Sequence, residues 1–240
     1  MRRTALVLAA LALTACESNL QRSARIEKTV KAHAHEIAAH EAQAQRALTI
    51  TKLSTKVKVA ATAVVHDSES AAAIVTLRND SGVSLRDVPI QIDVENAQGA
   101  SVYRNDTAGT STTLVSVALL PAHATLTWID DQVQATGLPA SVLATVGEGT
   151  PATGRIPHIS IQGAHLSEAS AAEGSVVNDS GVTQQELVID AVARKGAEVV
   201  AAGRAVLPSA GAGSTSFQLF LIGNPAGAHL EYSALATTPG

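Results

Sequence analysis

The chain has 240 residues, 46% of them apolar but only 2% aromatic, and a formal charge of −4. So weak an acidity argues against nucleic acid as a partner, because that needs a concentrated basic surface. Cys16 is the one cysteine, which excludes an internal disulfide, a dithiol redox pair and a multi-cysteine zinc site.

Read along the chain, Met1-Arg2-Arg3 leads into an apolar run over residues 4–13 and then the small pair Thr14-Ala15. A basic start, a short apolar stretch and small residues before a cut are the make-up of a secretory signal. The four residues Leu13-Thr14-Ala15-Cys16 resemble the lipobox of bacterial lipoproteins at every position. That resemblance implies diacylglycerol on the Cys16 sulfur, cleavage of residues 1–15, and acylation of the new amino group. It implies a cell-envelope protein held to membrane lipid on the extracytoplasmic side, with no cofactor beyond the lipid on Cys16. Removing 15 of the 240 residues leaves 225, which suits one large or two small domains. Arg2 and Arg3 leave with the signal, taking the 17 basic residues to 15 against 21 acidic ones. No later apolar run reaches about 18 residues, so lipid is the expected anchor, and two or more acyl chains hold a protein stably.

Residues 16–48 follow the cut and are rich in Ala, Gln, Glu, Lys, Arg and His, without Gly or Pro. Most of these are strong helix formers. Ile26, Val30 and Ile37 fall on one narrow stripe that Ala44 and Leu48 extend. The stripe is too thin for a globular core, so the expectation is a solvated helical stalk, with a coiled-coil segment or a disordered tether as alternatives. Arg22, Arg25, Lys28 and Lys31 either rest on anionic lipid, at about 1 kcal/mol each, or simply solvate the helix. His33, Glu36 and His40 share a face at i, i+3 and i+7. They are the candidate metal ligands, for a surface zinc site. His35 and His40 are five apart, which misses the four-residue spacing of a zincin helix, and a polar stalk is the plainer reading.

From residue 49 the period changes from helical to alternating. Lys56-Val57-Lys58-Val59 and Val88, Ile90, Ile92, Val94 are half-buried strands by their alternation and β-branching. A repeat organises the rest. Arg78-Asn79-Asp80-Ser81-Gly82-Val83 recurs as Val177-Asn178-Asp179-Ser180-Gly181-Val182. Each copy is followed by an alternating strand, a Gly turn (Gly99, Gly196), a Leu-Pro step (Leu120-Pro121, Leu207-Pro208) and a strand with one aromatic (Trp128, Phe217). An apolar last strand closes each unit, near residues 141–146 and 229–235. The expected fold is mostly β: two tandem β-sandwiches, residues 49–150 and 151–240, joined by the Gly-Pro-rich stretch 147–151. The order of these pieces is similar to the Ig-like FxLyD-type domains of bacterial surface lipoproteins, over roughly residues 55–147 and 158–237. Leu120-Pro121 runs on into Ala122 where that pattern has Gly. The resemblance implies an Ig-like envelope module and no mechanism.

The remaining chemical candidates are weighed against simpler roles. Asn79-Asp80-Ser81-Gly82 and its copy offer oxygens to calcium, but a hairpin turn explains both better, with Gly supplying positive φ. Those two stretches and Asn105-Asp106-Thr107 also read as glycosylation sequons. Residues 209–214 resemble a phosphate loop in composition only and read as a turn. Asp130-Asp131 is an acid pair after a strand, expected as a solvated turn. Trp128 reads as a core aromatic. No nucleophile elbow is present and no acid, base and nucleophile cluster, so the expected role is non-enzymatic: binding or scaffolding of an envelope protein or wall polymer. Sequestration of a small ligand or zinc by the His-rich stalk is the alternative.

Overall fold

A computed structural model describes residues 47–239, and its regular structure is antiparallel strand plus one short 3-10 turn. Cys16, His33, Glu36 and His40, and all but the last two residues of the expected stalk, lie outside the described residues. Within them, no helix is long and apolar enough to cross a membrane. The first lobe comprises β1 (Val57–His66), β2 (Ala71–Asn79), β3 (Leu85–Glu95), β4 (Ser101–Arg104), the 3-10 turn Thr112–Leu114, β5 (Ser116–Leu120), β6 (Thr125–Val133), β7 (Ser141–Val146) and β8 (Thr150–Pro151). The second comprises β9 (Ile159–Leu166), β10 (Ala171–Asn178), β11 (Gln184–Lys195), β12 (Glu198–Ala210), β13 (Gly213–Phe220), β14 (Ile222–Gly223) and β15 (His229–Ala234).

Each lobe is sandwich-like. In the first, a β1-β2-β6 sheet packs on a sheet centred on β3, with β4 and β5 along one edge of β3 and β7 and β8 along the other. In the second, β9-β10-β13 packs on β14-β12-β11-β15. Alternation places the cores. Val88, Ile90, Ile92 and Val94 are all fully buried, at about 1.5–3 kcal/mol of hydrophobic stabilisation per side chain. Trp128 joins them at 4% exposure. Phe217 takes the corresponding place in the second core.

β2 departs from alternation, and that departure has a cause. Ala71, Ala73, Val75 and Leu77 line the first core, while Ala72 and Ile74 on the opposite face belong to a different apolar cluster. A strand covered on both faces reads as a continuous apolar run. The covering surface is the outer face of β11 and β12, through Val192 and Ala202, with Val65 and Ile129 completing the contact. The two lobes therefore share an apolar seam.

The repeated Asn motif is a turn but not a hairpin, because β2 and β3 lie in different sheets. It is an arch that laces the two sheets. The Asn79 Oδ1 accepts from the Ser81 amide at 3.1 Å and lies 2.7 Å from its hydroxyl. The Asn79 amide donates to the Val83 and Pro121 carbonyls, both at 2.9 Å. Asn178 does the same with Ser180 and Val182, and reaches the Ala210 carbonyl at 3.1 Å. Gly82 and Gly181 are not among the residues with positive φ, so the expected left-handed glycine is absent. Instead Asp87 (φ 52°) and Glu186 (φ 48°), the same place in each copy, carry that conformation. Gly99 (φ 77°) and Gly196 (φ 62°) do turn their hairpins this way.

Two further expectations shift. Leu85 pairs with Leu120, and its counterpart Gln184 pairs with Ala210. Ala210 is thus the match of Leu120, and Leu207-Pro208 falls inside β12. Pro208 is tolerated there because it stands opposite the left-handed Glu186, where the ladder has no recorded pair. The stretch 147–151 is hydrogen-bonded rather than free: the Gly147 amide donates to the Pro89 carbonyl at 2.9 Å, and Thr150–Pro151 pairs with β3 as β8.

Candidate functional site

The most unusual chemistry lies in the seam. Asp190 on β11 and Arg204 on β12 are direct ladder partners, 6% and 7% exposed. Both belong to the outer face of their sheet, beside Val192 and Ala202. From the first lobe, β6 brings Asp131, half-buried, on the same face as Ile129. Arg204 Nη1 donates to the Thr113 carbonyl at 3.5 Å, an oxygen that also accepts from Trp128 Nε1 at 3.2 Å. Arg204 thus reaches across the seam toward the 3-10 turn of the first lobe. Asp130, fully buried, accepts from the Tyr103 hydroxyl at 2.8 Å and from the Gln132 amide at 2.9 Å.

Three carboxyls and one guanidinium therefore share a region with little water. Burial pushes the Asp190 carboxyl up to about 8, against the pull of Arg204, and Asp131 adds to the rise. Burial raises Asp131 as well, opposed mainly by Arg204. Asp130 is raised by burial, opposed by the Gln132 amide, the Tyr103 hydroxyl and Arg204. The Tyr103 hydroxyl is itself pushed up by burial and by Asp130. At neutral pH Asp190 is mostly the neutral acid, and Arg204 opposes the rise at Asp130 and Asp131. Asp190 Oδ1 and Arg204 Nε and Nη2 have no hydrogen-bond partner among the described residues. Such groups are costly when buried, so the contact is held by the apolar residues around it rather than by these charges.

Beside the seam is an open cleft of about 740 Å³ lined by His66, Asp67, Glu69, Asp131, Gln132 and Leu138. The Asp67 Oδ1 caps its own turn, accepting from the Glu69 amide at 2.9 Å and the Ser70 amide at 2.8 Å, and these bonds hold its carboxyl below the usual range. Among the described residues no group of three or more His, Cys, Asp or Glu side chains is placed to hold a metal ion.

Asp130-Asp131 is not the solvated turn expected. Both lie inside β6, because the strand runs on to Val133 and the second lobe covers its outer face. The calcium reading of the Asn motif fails on its bonds. Each Asn oxygen is already taken by its neighbouring serine, and Asp80 is paired with Arg78 and, at 2.8 Å, with Lys58, which lower its carboxyl to about 2. The sequon asparagines Asn79, Asn105 and Asn178 are buried, at 0%, 0% and 1% exposure, with their amides engaged. Residues 211–212 form the turn between β12 and β13. Asp190, Arg204 and Tyr103 were not singled out by the sequence reading. The available signal was a lone charge within an apolar strand: Asp190 between Ile189 and Ala191, Arg204 between Gly203 and Ala205.

What these features define is a mostly-β protein built from several antiparallel sheets. No family model matches the chain, and no curated protein does. Among solved structures it is similar to the glycoside hydrolase domain of Endo-D from Streptococcus pneumoniae, at 9% identity and a TM-score of 0.16, over 73% of this chain and 33% of that one. The chain spans about a third of that structure, and a likeness this low carries no argument.

Proposed function

We propose that this chain is a cell-envelope lipoprotein. Residues 1–15 are a signal removed before Cys16, the lipid on Cys16 holds the protein to a membrane, and residues 16–48 form a stalk. Residues 49–150 and 151–240 are two Ig-like sandwiches of the FxLyD type that bind or scaffold an envelope protein or wall polymer without catalysis. The observation that carries this reading is the run Leu13-Thr14-Ala15-Cys16 behind a basic and apolar start. The duplicated module is supported by the arch at Asn79 and Asn178, the left-handed residues at Asp87 and Glu186, and the shared strand roles. Among the described residues β1, β9 and β13 are end strands of their sheets, which suits recruitment by strand addition.

Labelled palmitate tests it. The wild-type chain takes up label and fractionates with membranes, while Cys16→Ser takes up none and moves to the soluble fraction. An unlabelled wild-type chain overturns the reading. Crosslinking in intact cells then yields one discrete envelope adduct; a diffuse ladder argues against a specific partner.

A further inference from the structure

We propose that the seam between the lobes is a proton-operated latch: Asp190, buried against Arg204 and facing Asp131, keeps the lobes docked while it is protonated and loosens them when it ionises. Four observations place the device. Asp190 and Arg204 are nearly inaccessible and lie directly opposite each other on β11 and β12. One Asp190 oxygen and two Arg204 nitrogens lack partners among the described residues, so the charges are not locked into a satisfied ion pair. The surrounding seam is small and built partly of alanine: Ala72 and Ala202 are in its buried part, with Ala63 at its margin. Lastly, the acids outnumber the bases.

The groups facing Asp190 set the sign. Arg204 on β12 favours its ionised form, and Asp131 on β6 opposes it; burial opposes it most. Arg204 is shared with Asp131 and with Asp130, which Tyr103 on β4 also serves. On β15 the residue opposite Asp190 is the uncharged Ser233, and the next charged pair on that face, Arg194 with Glu231 at 3.0 Å, bonds to itself. Among the described residues Arg204 is therefore the one cation acting on Asp190 itself, and it also acts on Asp130 and Asp131.

When the lobes separate, Asp190 meets water and titrates at its ordinary value, near 3.9. Docked, it titrates at about 8. A group raised in the docked state favours docking fully below the undocked value and loses that contribution as pH rises through the docked one. Between about pH 4 and pH 8 the docking constant falls up to about tenfold per pH unit, for one linked proton. The apolar seam supplies the contact, and Asp190 supplies its sensitivity.

Hydrogen exchange of the full chain in detergent, with rates corrected for the intrinsic effect of pH, tests this. From pH 6 to pH 9 the amides of β6 and β12 at the seam lose at least tenfold in protection, while those of β3, which lies outside the seam, hold theirs. Asp190→Asn removes the pH response and leaves the seam at pH 9 at least tenfold better protected than wild type. Asp131→Asn removes a negative neighbour and lowers the wild-type midpoint. Seam protection in the wild type that does not change with pH overturns the proposal, as does an unaltered midpoint in Asp190→Asn. If Asp190→Asn does not fold, the wild-type profile and the Asp131→Asn shift decide.

Discussion

The two lobes repeat one plan with different side chains, and the differences mark where each had to solve a problem locally. Where the first core places Ile92, Val94, Leu120 and Trp128, the second places Ala191, Ala193, Ala210 and Phe217. Gly174 stands where the first lobe has Val75; a Cβ there would lie 3.0 Å from the Phe217 ring. At each of these positions the second core carries the smaller side chain, so it is the thinner of the two. Along the edge beside β3 the first lobe breaks into β4, a 3-10 turn and β5, whereas the second runs unbroken as β12. On that edge the break leaves the middle of β3 without a strand partner, although β7 still pairs with it on the other edge, and Asn105 fills the gap: its Oδ1 accepts from the Ile92 amide at 2.8 Å, and its amide donates to the Ile90 carbonyl at 3.0 Å and the Leu114 carbonyl at 2.8 Å. The unbroken strand has the opposite difficulty. Chain leaving β13 crosses close over β12, and Gly203 makes room for it.

Gly203 gives the largest expected effect. A Cβ at that position would lie 1.9 Å from the Phe220 carbonyl oxygen, which is backbone and cannot swing aside. Gly203→Ala is expected to destabilise the protein by about 3 kcal/mol or more, read as a lower urea midpoint for the full chain. Gly211→Ala, at a turn with nothing within 4 Å, is the control and should change stability by less than about 0.5 kcal/mol. If the two variants behave alike, the crossing is looser than described and the contrast between the lobes fails there.

Asn105 probes the first lobe's answer. Asn105→Ala leaves a buried amide and two buried carbonyls without partners, with an expected cost of about 2–3 kcal/mol. The loss should be local. Exchange at the Ile92 amide accelerates, while amides of β11 in the second lobe, where β12 supplies the ladder, stay protected. Equal acceleration in both lobes would mean that they unfold as one unit.

How much of this was legible follows from what each residue reports. The period-two pattern of Val88 to Val94 depends on one buried face, so it was readable and correct. The Asn motif was readable as a turn because Asn and Ser bond locally; that it joins two sheets depends on the carbonyls of Pro121 and Ala210, more than thirty residues away. Leu207-Pro208 misled because a dipeptide match ignores register, and register here is set by the pairing of Gln184 with Ala210. The seam was hidden for a related reason. Asp190 alternates with Ile189 and Ala191 and so reads as a solvent-facing residue of a half-buried strand; only packing between the lobes covers it. Beside the lone charges themselves, a clue lay in β2, whose run from Ala71 to Val75 is apolar on both faces.

The smallest expected effect separates the lobes at a single matched position. Leu85, 1% exposed, pairs with Pro151 of β8, so the chain leaving the first lobe is held by its backbone. Its counterpart Gln184 is fully buried and holds the chain leaving the second lobe by its side chain. The Gln184 Oε1 accepts from the Thr237 amide at 2.8 Å and the Thr238 amide at 2.9 Å, and Nε2 donates to the Val182 carbonyl at 2.9 Å. Gln184→Leu matches the first lobe's residue and keeps the volume apolar, so the core itself should tolerate it. What is lost is the grip on the tail, about 1 kcal/mol in net terms because the freed amides reach water. The Thr237 and Thr238 amides should then exchange at least tenfold faster while the urea midpoint moves little. A large fall in the midpoint would show instead that the tail is part of the second core.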